Sequence, residues 1–315
     1  MVPDFVFCQP VKILFGPGRL GSLAALLEEL EIRRAVLVCD SFFGEKGRAL
    51  MEEVPAICAL YSDVEPNPQL SGAEACVRLA RARDAQAFIA LGGGSSIDTA
   101  KFAAAVAPGE DSAEACYDGR PFPNKPLKLI AIPTTAGTGS EVTQVSVMNK
   151  GALKRTINHP SFLPAAALVD PLLMCSVPPR ATMITGLDAL SHALEGYWSK
   201  NHQPLTDLHG VEAVRLAALY LERVYRDGSD MEARTGMAYA SLLAGIAFGQ
   251  PKTAGSHACS YPLSMDYHLP HGEACAFTLD SFIRINRDPR LEQLARAAGF
   301  RDCEALAERV QDLKA

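Results

Sequence analysis

The chain has 315 residues, 48% of them hydrophobic and 21% charged, with 24 Gly and 21 Pro. This composition excludes disordered, collagen-like and low-complexity chains, and the length suits about two globular domains. Thirty basic against 36 acidic side chains leave a net charge of −6, which argues against a general electrostatic grip on nucleic acid or anionic membrane.

Strand and helix patterns alternate through the first half. Apolar runs predict strands over 12–15, 35–40, 87–91, 127–132 and 166–169, and helical spacing predicts helices over 22–29, 71–83 and 96–106. Such alternation implies a mainly parallel sheet covered on both faces. The character changes at Ser176-Val177-Pro178-Pro179-Arg180, after which only helices are expected, over 181–197, 206–225, 230–248 and 291–298. The fold class is therefore α/β plus all-α: a Rossmann-like parallel-sheet domain over 1–178, then a helical domain over 179–315. The nine cysteines are odd in number, and the nearest two, Cys259 and Cys275, are 16 positions apart. They form neither a disulfide framework nor a CxxC motif, and read as small buried apolar residues in a reducing compartment. With no signal peptide and no run long enough to span a membrane, a cytoplasmic protein without membrane or nucleic-acid partners is expected.

Three loops have the chemistry of nucleotide sites. Gly16-Pro17-Gly18-Arg19-Leu20-Gly21 matches GxGxxG and has Asp40 about twenty residues on, but Pro17 removes a donor amide and a plain tight turn reads the same way. Gly92-Gly93-Gly94-Ser95-Ser96 joins an apolar strand to a helix bearing Asp98, so unshielded amides and the helix dipole can take a phosphate. The run 132–143, rich in Thr, Gly and Ser, follows another strand and can wrap a polar ligand.

Asp188 and His192 are i, i+4 in a helical stretch and share one face. With His257, after a small-residue stretch, and His271, between Pro270 and Gly272, they supply four donors suited to iron, zinc or a related divalent ion. A cation beside a nicotinamide would polarise a carbonyl for hydride attack. No GxSxG elbow or Walker A sequence competes.

With these stretches laid out, the chain from about residue 10 to its end resembles the iron-containing (group III) alcohol dehydrogenase family. The matching motifs are 92–101 (GGGSSIDTAK), 133–143 (PTTAGTGSEVT), 185–195 (TGLDALSHALE), and His257 with Pro270-His271-Gly272. The resemblance implies NAD(P)-dependent interconversion of an alcohol and an aldehyde or ketone, with Asp188, His192, His257 and His271 as ligands of a divalent metal, Fe(II) favoured over zinc. It implies Gly93, Gly94, Ser95 and Asp98 as the pyrophosphate loop and Thr134, Thr135 and Thr138 as further dinucleotide contacts. Lys154 aligns with a lysine near the nicotinamide, Asn67 with a cofactor contact, and Asp40 with the acid at the adenosine ribose, which favours NAD over NADP. The same resemblance makes 16–21 a turn.

Two departures stand out. Where many members carry a histidine four residues after His257, this chain has Tyr261, whose hydroxyl is a candidate proton donor and which also reads as a packed aromatic. The chain also ends where family members continue through further helices, so part of the helical domain is expected to be missing. The stretch 252–263 looks most like the branch that reduces phosphonoacetaldehyde, a substrate needing a cation such as Lys252 or Arg155. A small aldehyde or alcohol is the expected partner, and a homodimer the expected assembly. A dehydroquinate-synthase-like lyase using NAD transiently, and a non-catalytic nucleotide-binding remnant, are the alternatives.

Overall fold

The structure is a computed structural model that describes residues 4–123, 125–151 and 153–314. The chain forms two compact units. One comprises Pro10–Thr134 and Ser140–Asp170, the other Met1–Gln9, Thr135–Gly139 and Pro171–Ala315.

In the α/β unit the elements follow in the order β1 (Lys12–Phe15), α1 (Leu23–Glu29), β2 (Ala35–Cys39), α2 (Gly44–Glu53), β3 (Ile57–Tyr61), α3 (Leu70–Ala82), β4 (Ala87–Gly92), α4 (Gly94–Val106), α5 (Ala113–Tyr117), β5 (Lys128–Pro133), β6 (Val145–Lys150), β7 (Leu153–Asn158) and β8 (Ala166–Val169). Six strands make one parallel sheet in the order β1-β8-β5-β4-β2-β3. Strands β2 and β4 are buried at every position, as apolar runs covered on both faces must be. The edge strands β1 and β3 are only partly covered. From β2 the chain goes to the edge at β3 and then back across to β4, so the sheet's topological switch lies between β2 and β4. Ligands of open α/β sheets bind beyond the strand ends at that point.

The expected strands over 12–15 and 166–169 fall on β1 and β8, and the other expected elements lie within two residues of observed ones. Helix α2 and strand β3 were not anticipated, nor was the antiparallel hairpin β6–β7, which turns at Gly151 with φ +61°. The hairpin is rich in polar residues, among them Lys150, Lys154 and Arg155, and its longest apolar run is Val147-Met148, so it has no continuous apolar stretch to betray it. It is pinned instead by buried charge. The Lys101 ammonium, fully buried, donates to Ser140 Oγ (2.8 Å), Thr143 Oγ1 (3.2 Å) and the Val145 carbonyl (2.8 Å). Asp98 accepts from Ser140 Oγ (2.6 Å) and the Val147 amide (2.8 Å).

The helical unit contains α6 (Pro179–Trp198), α7 (Pro204–Arg226), α8 (Met231–Gly249), α9 (Gly255–Asp266), α10 (His271–Phe277), α11 (Leu279–Ile285), α12 (Pro289–Ala297) and α13 (Cys303–Lys314). Helices α6 and α8 are buried over most of their lengths and meet through small residues: a Cβ on Gly196 would lie 2.8 Å from the Ala247 carbonyl oxygen. Among the described residues, no helix is long and apolar enough to cross a membrane.

Glu141, next to the hairpin, is 2% exposed. Burial raises its carboxyl from an ordinary 4.5 to about 7, against the opposing pull of a backbone hydrogen bond and of Lys101. An acid harder to ionise folded than unfolded contributes stability at low pH, and that contribution is lost as pH rises from about 4.5 to about 7. The Glu141→Gln variant is therefore expected to gain on the wild type in urea unfolding between pH 5 and pH 8; a constant difference between the two proteins would contradict this.

Candidate metal centre and dinucleotide loop

Asp188, His192 and Glu195 occupy positions i, i+4 and i+7 of α6 and so share one face. All three are buried, Glu195 completely. Helix α9 begins without a side-chain cap of its own. Its cap comes from α6: Glu195 Oε2 accepts from the Ala254 amide (2.9 Å), and Oε1 accepts from the amides of Ser256 and His257 (3.2 Å to His257). These are the donors a helix N-terminus leaves unsatisfied, and a carboxylate there also meets the positive end of the dipole. Glu195 Oε2 further lies 2.6 Å from His257 Nδ1, an arrangement that leaves His257 Nε2 free to act as a donor atom.

Nε2 of His257 is aimed at the other candidates. It lies 3.1 Å from His192 Nε2 and 3.8 Å from Asp188 Oδ1. His271, first residue of α10, brings its Nε2 within 3.8 Å of the same carboxylate oxygen. Asp188 Oδ1 is buried and has no hydrogen-bond partner among the described residues. A buried carboxylate oxygen left unbonded costs free energy, and one ringed by imidazole nitrogens is what a divalent cation would complete. The donor atoms that converge within 4.8 Å of one another are those of Asp188, His257, His271 and Cys275. His192 stands beside that set, its ring stacked on Phe248 at 4.0 Å. The expected four histidine and aspartate residues are thus brought together, with Cys275 as a fifth member.

The charges within the cluster are strongly coupled. Burial, and then the charge of His257, hold His192 well below its ordinary pKa. Burial also disfavours charge on His257, but its contacts with Cys275 and Glu195 outweigh this and raise it. Burial likewise opposes the charge on Glu195, yet hydrogen bonds from His257 and the α9 amides keep its pKa low.

In the α/β unit, Asp40 follows β2 and Gly92 ends β4, so both stand at the topological switch. Asp40 Oδ2 would lie 3.5 Å from a Cβ on Gly92. Gly93 is the N-cap of α4, and no side chain caps this helix. Gly93, Gly94 and Ser95 are partly exposed, the arrangement a phosphate cradle needs. Asp98 differs from expectation: both its carboxylate oxygens are spent on Ser140 and Val147, so it braces the hairpin rather than contacting a pyrophosphate, whose charge it would repel. The decoy loop is a turn, as anticipated, because its Gly18 and Leu20 amides donate to Asp170 (2.9 Å each).

The remaining candidates are scattered. Thr134, buried, follows β5, whereas Thr135 and Thr138 group with the helical unit. Asn67 lies in the loop before α3 with φ +57°. Lys154 is on β7, opposite Asn149. Tyr261 sits one turn beyond His257 on α9, 45% exposed. The Arg155 guanidinium donates to the Tyr117 carbonyl and lies 5.2 Å from that ring, while Lys252 donates to the Gly249 carbonyl (2.8 Å) from a left-handed φ of +72°. Glu195 and Cys275 were not picked out from the sequence. Their spacing carries the signal: Glu195 is three residues past His192, and Cys275 is four past His271, each on the face of its helix that bears the histidine.

Fold and site together are the parts of a metal-dependent dehydrogenase: a parallel-sheet unit with a glycine loop at its switch, and a helical unit with a buried Asp/His cluster. Residues 10–171 match the family model for iron-containing alcohol dehydrogenases, and residues 182–315 match the model for the C-terminal part of the same family. The chain belongs to the iron-containing alcohol dehydrogenase family. It is similar to the crystal structure of sulfoacetaldehyde reductase from Bifidobacterium kashiwanohense in complex with NAD+, at 42% identity and a TM-score of 0.95 over 99% of this chain and 85% of that one. It is 38% identical over 308 residues to long-chain-alcohol dehydrogenase 1 of Geobacillus thermodenitrificans, covering 91% of this chain and 77% of the relative. It is 31% identical over 301 residues to the sulfoacetaldehyde reductase of Bilophila wadsworthia, covering 93% and 78%.

Because Glu195 both caps α9 and orients His257, Glu195→Gln is expected to weaken zinc or cobalt binding by about 10–100-fold. Competition with a chromogenic chelator measures this, and unchanged affinity would contradict the assigned role.

Proposed function

We propose that this protein is an NAD-dependent, divalent-metal alcohol dehydrogenase acting mainly as an aldehyde reductase on a small aldehyde that bears a phosphonate or sulfonate. The observation that carries the reading is the buried, unbonded Asp188 oxygen facing the imidazoles of His257 and His271 in a member of this family. Asp188, His192, His257 and His271 would hold the ion, with Fe(II) favoured and zinc second. When bound, the metal supplies Lewis-acid polarisation of the carbonyl and the dinucleotide supplies hydride.

The chain's own residues do the rest. The amides of Gly93, Gly94 and Ser95 receive the pyrophosphate at the uncapped start of α4. Thr134, Thr135, Thr138 and Asn67 contact the remainder of the dinucleotide, and Lys154 lies toward the nicotinamide. Asp40 accepts from the ribose hydroxyls and repels a 2′-phosphate, which favours NAD over NADP. Tyr261 donates the proton that its hydroxyl carries to the oxygen of the nascent alcohol. In this reading residues 1–178 serve the dinucleotide and 179–315 the metal, and the protein works as a homodimer in the cytoplasm, where its nine free cysteines stay reduced.

The anionic-substrate part is supported by the two similar sulfoacetaldehyde reductases. Arg155 donates to the Tyr117 carbonyl and Lys252 to the Gly249 carbonyl; Lys252 is the candidate for the substrate's anion because it lies on the segment that leads into α9, the helix of His257. A lysine held in the left-handed region marks a position where the backbone carries strain, as functional sites often do.

NADH oxidation by anaerobically Fe(II)-loaded protein tests the proposal. Sulfoacetaldehyde and phosphonoacetaldehyde are expected to exceed propanal in kcat/KM by at least about tenfold, which is about 1.4 kcal/mol of transition-state discrimination. Lys252→Met should erase that preference. Equal use of propanal would overturn the anionic substrate, and substrate conversion without net NADH consumption would point to the lyase chemistry instead.

A further inference from the structure

We propose that Gly137 and Gly139 are positioning residues: they seat the segment Thr135–Gly139 on the helices of the metal cluster, and through that seat metal and dinucleotide strengthen each other's binding. The inference rests on the reading of Thr135 and Thr138 as dinucleotide contacts and of Asp188 and His192 as metal ligands. Thr135–Gly139 groups with the helical unit, although the residues on either side of it, Thr134 and Ser140, belong to the α/β unit. Both flanks are tied to the phosphate-binding turn. The Thr134 amide donates to the Gly92 carbonyl (3.1 Å), and Ser140 Oγ donates to Asp98 (2.6 Å), one turn along α4 from Gly94.

Glycine brings the middle of the segment onto the helices. A Cβ on Gly137 would lie 2.7 Å from Thr185 Cβ and 2.8 Å from the Thr185 carbonyl oxygen, three residues before Asp188 on α6. Gly139 has a left-handed φ of +60°, and a Cβ there would lie 2.4 Å from Gly245 Cα. Gly245 is three residues before Phe248 on α8, and the Phe248 ring stacks on His192 at 4.0 Å. Ala136 packs against the core of the helical unit. The two glycines are buried while Thr135 and Thr138 are partly exposed, so the backbone is pressed to the helices and the threonines stay accessible. An ion that fixes Asp188 and His192 also fixes the helical turns on which the segment rests. The dinucleotide then meets threonines already held in place and loses less conformational freedom on binding. By linkage, the dinucleotide tightens the ion by the same factor.

ADP-ribose is the probe, because it keeps the pyrophosphate and ribose of the dinucleotide but has no nicotinamide to face the ion. Calorimetry compares the full-length protein metal-free and zinc-loaded, with free zinc removed. ADP-ribose is expected to bind at least about fivefold more tightly with zinc. Zinc affinity, read by chelator competition, should rise by the same factor when ADP-ribose is saturating. Gly137→Ala and Gly139→Ala should bind ADP-ribose more weakly and lose the response to zinc. A glycine that only stabilised the fold would lower the melting temperature and leave that response intact. Equal ADP-ribose affinity with and without zinc in the wild type, which needs no variant to fold, would overturn the coupling, as would an unchanged zinc response in the folded variants. A wild type that binds neither ADP-ribose nor NADH would overturn the dinucleotide reading as well, and one that takes no zinc would overturn the metal reading.

Discussion

Helix α10 can lie where it does only because position 272 is glycine. A Cβ there would sit 2.0 Å from the Ile184 carbonyl oxygen and 3.0 Å from Asp188 Cβ, distances at which either helix must move. Hydrogen at this one position lets α10 close on α6, and the closure carries His271 and Cys275 to the carboxylate of Asp188. The order Pro270-His271-Gly272 thus has a mechanical meaning. Proline sets the start of the helix, histidine occupies its first position, and glycine removes the obstacle to the approach.

The other side of the cluster is fixed electrostatically. Glu195 is a fully buried carboxylate that would be costly if unpaired, and it is satisfied by the first amides of α9 and by His257. One side chain therefore determines where α9 starts, how its histidine is turned, and which ring nitrogen is left to donate. The α/β unit uses buried charge in the same way. Asp98 and Lys101 hold the segment from Ser140 through the β6–β7 hairpin against α4, while the start of that helix is kept open. Charged side chains inside these motifs act as braces of the fold.

Much of this was legible in the chain because periodicity and spacing have direct physical causes. Apolar runs such as Ala-Phe-Ile-Ala-Leu must be buried strands, and Asp188 and His192 must share a helix face. What was not legible depended on contacts distant in sequence. Asp98 lies within a glycine-rich motif, and only the return of Ser140 and Val147 shows that its oxygens are already used. Asp170 lies far along the chain from the Gly18 and Leu20 amides that it occupies, so the sequence supported a turn at 16–21 through Pro17 and the family resemblance, without showing the contact that makes it one. Cys275 read as one more buried apolar cysteine, because its four-residue spacing from His271 gains meaning only once Asp188 is known to face them. The hairpin was hidden by its many polar residues, which leave no apolar run longer than Val147-Met148.

The central claim is that a single divalent cation belongs at the focus of α6, α9 and α10. Anomalous diffraction from crystals of the metal-loaded protein, collected on either side of the metal's absorption edge, tests it most directly. The account predicts one strong peak in the helical unit, about 2.0–2.3 Å from donor atoms of Asp188, His192, His257 and His271. A loaded, well-ordered crystal with no anomalous peak at these residues, or with its metal elsewhere in the molecule, would contradict it.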